Sequence, residues 1–84
     1  MLHIGKEIQN VVREKNCTVS WLSRELSCSR TNVYKIFERP YIDTITLYRI
    51  SIALNHDFFA HFTHDLIEHI DANAELVAHL PNEI

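Results

Sequence analysis

Six side chains able to form hydrogen bonds crowd into seven consecutive positions of this chain: Ser29, Arg30, Thr31, Asn32, Tyr34 and Lys35. Arginine can give two hydrogen bonds to the O6 and N7 edge of a guanine. Threonine offers a hydroxyl and a methyl that suit thymine, and lysine reaches guanine or phosphate. Such groups work together only if one rigid element holds them on one side. The spacing supplies that element. Val33, Ile36 and Phe37 recur at three- and four-residue steps, so a helix over 30–38 buries these three. Arg30, Thr31, Tyr34, Lys35 and Glu38 then point outward, with Asn32 at the margin. Ser29 is placed to cap this helix, and the free N–H groups of its first turn favour a nearby phosphate.

A second helix must brace the first. Thr18 can cap a helix over 19–26, with Val19, Leu22 and Leu26 inward and Trp21 covering an edge of the core. Ser27 and Cys28 form a tight turn. Two short helices so joined, the second showing polar groups at its N-terminal end, can dock that second helix in the major groove of DNA.

The remaining elements are a frame. Ile4, Ile8, Val11 and Val12 give the stripe of an amphipathic helix over 2–15. Pro40 stops the helix before it. Asp43 caps a helix over 44–54 that is apolar on most sides, which predicts burial on several sides, and Asn55 stops it. Asp57 caps a short helix carrying Phe58, Phe59 and Phe62. Thr63 is read as a break that caps a last helix over 64–80, ended by Pro81, with Ile67, Ile70, Ala74 and Val77 spaced like a coiled-coil seam. The expected organisation is a domain over 1–62 and an acidic helix and tail over 63–84, a candidate dimer contact.

Composition narrows the class. The net charge of the 84 residues is −3, but residues 1–56 hold all eight Lys and Arg against five acids, a net of +3. Residues 57–84 hold six acids and no Lys or Arg. This asymmetry points to a nucleic-acid face and a separate acidic module, or to two solvated surfaces. One glycine and two prolines favour helices over a sheet. The N-terminus lacks a secretory pattern and no apolar run approaches the roughly 20 residues of a membrane span, so a cytoplasmic protein with no membrane partner is expected. Cys17 and Cys28 make no CxxC pair; they are small core or turn residues, or redox sensors. His61, Asp65 and His69 would share a helical face only if the chain ran helically through Thr63. The six histidines can pack, line a pH-sensitive contact or, less simply, bind zinc. No Gly-rich phosphate loop and no spaced nucleophile, base and acid are present, so no enzyme, cofactor or small-molecule substrate is expected.

Residues 18–62 resemble the lambda-repressor/Cro-like helix-turn-helix family, also called the XRE family. The resemblance is carried by the Thr-initiated helix with Leu22 and Leu26, the turn, SRTNVYKIF, the acid-capped DTITLYRISIALN and the following HDFF. It implies an all-α fold: a compact five-helix lambda-repressor-like DNA-binding domain, here with an additional C-terminal helix. It also implies sequence-specific binding of double-stranded DNA by a homodimeric transcription regulator. On this chain the family's base-reading positions fall on Arg30, Thr31 and Lys35. Asn32 and Tyr34 would sit beside the groove, with Ser20, Ser29 and Arg39 as backbone contacts; Tyr34 can equally pack on the domain edge. The chain departs from the family pattern at Val19, Ser23, Ser27, Phe37 and Arg39, where the family usually has Gln, Ala, Gly, Glu and Gly. The Val19 departure removes a customary phosphate donor. Together with the overall acidity it motivates an alternative, a protein-interaction module (antitoxin-like or adaptor) on the same fold.

Overall fold

Five helices follow one another in the structure, a computed structural model that describes residues 1–72 and side chains as far as Ile70. They are α1 (Ile4–Glu14), α2 (Val19–Glu25), α3 (Arg30–Glu38), α4 (Thr44–Leu54) and α5 (Phe59–Ala72). The fold is all-α, and no strand occurs among the described residues.

Each helix starts on a side-chain acceptor that takes an otherwise orphaned N–H. Thr18 Oγ1 accepts from the Trp21 N–H at 3.0 Å and Ser29 Oγ from the Asn32 N–H at 3.1 Å. Asp43 Oδ2 accepts from the Thr46 N–H at 2.8 Å, and Asp57 Oδ1 from the Ala60 N–H at 3.2 Å. The α1 cap is His3, whose Nδ1 accepts from the Lys6 N–H, so α1 begins two residues later than its apolar stripe suggested. Helix ends are equally local. Asn16, Ser27 and Asn55 take left-handed backbone angles with φ of 56°, 53° and 49°. At Ser27 the Cys28 N–H reaches the Ser23 carbonyl at 2.9 Å and the Ser27 N–H reaches that of Arg24 at 3.2 Å, the double closure of a Schellman turn. Asparagine and serine thus occupy positions where glycine is commoner, which is how a chain with one glycine still turns so sharply.

The cap of α4 is charged and its effect is pH-dependent. The Thr46 N–H, then the Thr46 hydroxyl (2.7 Å from Oδ1), hold the Asp43 carboxyl below its ordinary pKa, with Arg39 adding a smaller electrostatic pull. A folded pKa below the unfolded one means that the stabilisation is complete above the ordinary carboxylate range. It disappears as pH falls through the folded pKa. Asp43→Ala is therefore expected to lower the melting midpoint at pH 7, and the gap from the parent to close as the melts are repeated toward pH 2.

The core joins the first four helices and the segment before α5: Ile4, Ile8, Val11 and Val12, then Leu22 and Leu26, then Val33, Ile36 and Phe37, then Leu47, Ile50 and Leu54, and the fully buried Phe58 just ahead of α5. Trp21 covers the edge of this core as expected, and Cys17 and Cys28, both free thiols, pack beside it. α3 lies against both α1 and α2. The start of α1 is docked on the segment after α3, where the Ile4 N–H reaches the Pro40 carbonyl and the Gly5 N–H that of Arg39, both at 2.9 Å.

Two expectations fail. Thr63 does not break the helix. Its hydroxyl donates back to the Phe59 carbonyl at 3.2 Å, inside the turn it was expected to end, and α5 runs through it to Ala72. One helix therefore replaces the short fifth helix and the start of the additional one, and the boundary at 62/63 falls within it. The rest of the expected 64–80 helix, with Ala74, Val77 and Leu80, lies outside the described residues. Nor is α4 buried on several sides. Its Leu47, Ile50 and Leu54 line is buried, while Ile45, Tyr48 and Ile52 stand in solvent.

Candidate nucleic-acid interface

α3 is fixed by three inward side chains, and the rest of its surface is open. Val33, Ile36 and Phe37 are buried against α1 and α2, whereas Arg30, Thr31, Asn32, Tyr34, Lys35 and Glu38 are all exposed. Successive helical residues turn by about 100°. Thr31 and Lys35, four apart, therefore share the line facing away from the core. Arg30 and Tyr34 share the neighbouring line on one flank, and Asn32 stands on the other flank. The three base-reading candidates thus share one side of a braced helix.

Asn32 faces α4. It lines a cleft of about 260 Å³ together with Arg39, Asp43, Thr46 and Arg49. Tyr34 is anchored as well as exposed. Its ring meets Phe37 edge-on, with centroids 6.2 Å apart at 87°, and flanks His3, Lys6 and Gln9 at the start of α1, yet 56 % of the residue stays open. Tyr34 thus packs on the domain edge and leaves its outer part exposed.

The backbone-contact candidates differ in how free they are. Ser29 spends its hydroxyl as an acceptor in the α3 cap. What it leaves for an anion is the first-turn N–H groups at exposed Arg30 and Thr31, on the positive end of the helix dipole. Ser20 is half-buried in the first turn of α2, and its carbonyl receives the Ser23 hydroxyl at 2.8 Å. Val19 packs against the core and brings no side-chain donor to the start of α2. Arg39 is exposed at the end of α3. Its carbonyl is held by the Gly5 N–H and its charge sits near that of Asp43. Between 18 and 39 the charges are Arg24, Arg30, Lys35 and Arg39 against Glu25 and Glu38.

Arg49 has a role that periodicity did not show. Its Nη2 donates to the Leu26 carbonyl at 3.1 Å, tying α4 to the last turn of α2 where the chain bends toward α3. A cation at that helix end also meets the negative end of the dipole. The one available signal was a lone cation within the otherwise uncharged TITLYRISIAL.

His56 and His61 bring their Nε2 atoms within 3.0 Å, and His61 Nδ1 lies 3.6 Å from Glu7 Oε2, which ties α5 to α1. Because α5 is continuous, His61, Asp65 and His69 do share a face, but His69 Nδ1 turns to the Asp65 carbonyl at 2.8 Å. Among the described residues no three His, Cys, Asp or Glu side chains gather as a metal site, and no helix is long and apolar enough to cross a membrane. No protein-family model matches this chain, and neither a similar curated protein nor a similar solved structure was found.

Proposed function

We propose that the protein is a lambda-repressor-like helix-turn-helix transcription regulator that binds double-stranded DNA sequence-specifically by laying α3 in the major groove. One observation carries the reading. Thr31 and Lys35 are exposed on the outer side, and Arg30 on the adjoining flank, of a helix whose inner side is locked into the core. Arg30 has the reach for a guanine edge, Thr31 for a thymine and Lys35 for a base or phosphate. Arg39, Asn32, Tyr34 and the α3 N-terminus flank that side and would set the register on the phosphates. Two copies would read two half-sites about one helical turn apart.

The test is selection of bound duplexes from a random pool, followed by titration of a selected site and a scrambled one at rising salt. Preference for one motif and a steep loss of affinity with salt are expected, since each phosphate contact releases counterions. Equal and negligible binding to every duplex would remove the proposal. Val19, half-buried against the core, brings no side-chain phosphate donor to the start of α2, which favours the second reading, a protein-interaction module on the same fold.

A further inference from the structure

Two imidazoles meet at the joint between α4 and α5. His56 follows Asn55, the left-handed residue that ends α4, and His61 stands in the first turn of α5. Five residues apart and on different elements, they are joined by the turn rather than by helical spacing. Phe58 between them is fully buried, and its ring lies against both, with centroids 4.5 Å from His56 and 5.9 Å from His61. The two Nε2 atoms are thereby set facing each other at 3.0 Å.

A neutral imidazole carries one N–H and one bare lone pair. Two rings that face through Nε2 share one proton, so one lone pair is aimed into the gap. Glu7 selects whose it is. Its Oε2 lies 3.6 Å from His61 Nδ1, and a carboxylate on that side draws the ring proton to Nδ1 and leaves Nε2 bare. Metal-binding histidines are held in this way, with the far nitrogen turned to a carboxylate and the near one to the ion. The separation fits as well. Two Zn–N bonds of about 2.0–2.1 Å at the tetrahedral angle put their nitrogens about 3.3 Å apart, so the pair needs to open by only about 0.3 Å. Both rings are half-buried rather than sealed, and 28 % of the His61 side chain is exposed, so an ion can enter with its waters.

We propose that His56 and His61 form a two-imidazole site for zinc or another first-row divalent cation, with Glu7 as its positioning residue. The ion takes the place of the shared proton. Each Nε2 donates its lone pair, His56 then carrying its proton on Nδ1, and water fills the remaining positions. The site is therefore open, unlike the closed four-ligand sites of structural zinc. Imidazole nitrogens favour zinc, copper, nickel and iron over the oxygen-seeking magnesium and calcium. His69, whose Nδ1 is turned to the Asp65 carbonyl, takes no part. A bound ion pins the start of α5 to the end of α4, beside the Glu7 contact to α1. The pin acts where it is needed, because α5 has little cover further on: from Phe62 to Ile70 only Asp65 is even half-buried.

The test is calorimetric titration of the full chain with zinc chloride, with circular dichroism as a check that each variant is folded. One zinc per chain is expected, with a dissociation constant between about 1 μM and 1 mM. His56→Gln and His61→Gln should each abolish it. Glu7→Gln should weaken it by about 10-fold or more, the usual effect of losing a carboxylate behind a ligating histidine. Its metal-free melt should stay near the parent's, since a half-exposed ion pair adds little stability. His64→Gln, on an exposed histidine of the same helix, should bind as the parent does. Zinc should raise the parent's melting midpoint and leave that of His61→Gln unmoved. If a histidine variant failed to fold, the imidazole C–H resonances of the parent would decide: those of His56 and His61 must shift with zinc before those of the other four histidines. Absence of zinc binding at 1 mM or so would overturn the site and leave the pair a plain hydrogen bond. Undiminished binding by both folded histidine variants would overturn it too, by placing the ion elsewhere. DNA binding does not enter these readouts, so either proposal can fail without the other.

Discussion

Gly5→Ala is expected to unfold the protein, although alanine is the better helix former by about 0.8–1 kcal/mol. Gly5 lies in the first turn of α1, where the helix meets the end of α3 backbone to backbone. A Cβ added there would stand 2.5 Å from the Phe37 carbonyl oxygen and 2.6 Å from that of Arg39, with the Ile36 carbonyl nearer still. All three obstacles are backbone, so no side chain can swing aside. α1 would have to lift, breaking the Ile4-to-Pro40 and Gly5-to-Arg39 hydrogen bonds and pulling the fully buried Ile4 and Ile8 away from the core. Overpacking of this kind costs typically 1–3 kcal/mol, and exposing two buried isoleucines adds about 1.5–3 kcal/mol each. A domain of this size has a margin of about 5 kcal/mol or little more. Thermal and urea melts followed by circular dichroism should show little or no cooperative transition at 25 °C. A variant melting within a few degrees of the parent would show that α1 does not approach α3 this closely. The site would suffer too, since Arg39 is held through the carbonyl that Gly5 engages.

The bounds of α3 and α4 were legible because every force that fixes them is local. Ser29 and Asp43 cap within three residues, Pro40 and Asn55 act at their own positions, and the buried lines repeat at helical spacing. The exposure of Arg30, Thr31 and Lys35 followed from the same period. What remained hidden depends on partners distant in sequence. Nothing near Arg49 names the Leu26 carbonyl as its acceptor, and nothing near Gly5 shows that three carbonyls of the α3 end crowd it. Thr63 misled for a different reason. Its hydroxyl can cap a new helix or bond back to the turn before it, and here it bonds back to the Phe59 carbonyl. The outer line of α4 misled because residue type reports that a surface wants cover, not whether its own chain supplies it.

Arg30→Ala and Arg39→Ala should weaken DNA binding in two distinguishable ways. Arg30 stands at the exposed N-terminal end of α3, and alanine there would remove a bidentate base contact worth about 1–3 kcal/mol of discrimination. Affinity for the selected site should fall by about 5- to 150-fold while affinity for scrambled duplex changes far less, so preference relaxes at one base position. Arg39 follows the helix beside Asp43, where a contact to phosphate carries no sequence information. Its loss should weaken binding to selected and scrambled duplex alike, and should lower the slope of log affinity against log salt by about 1. The neighbouring Asp43 carboxylate already offsets part of the Arg39 charge, so the Arg39 effect should be the smaller of the two on the selected site. Fluorescence anisotropy at several salt concentrations separates the outcomes. If Arg30→Ala lost affinity for all duplexes equally with a reduced salt slope, α3 would be lying on phosphates rather than reading bases. The groove-docking geometry would then be wrong even though the protein still bound DNA.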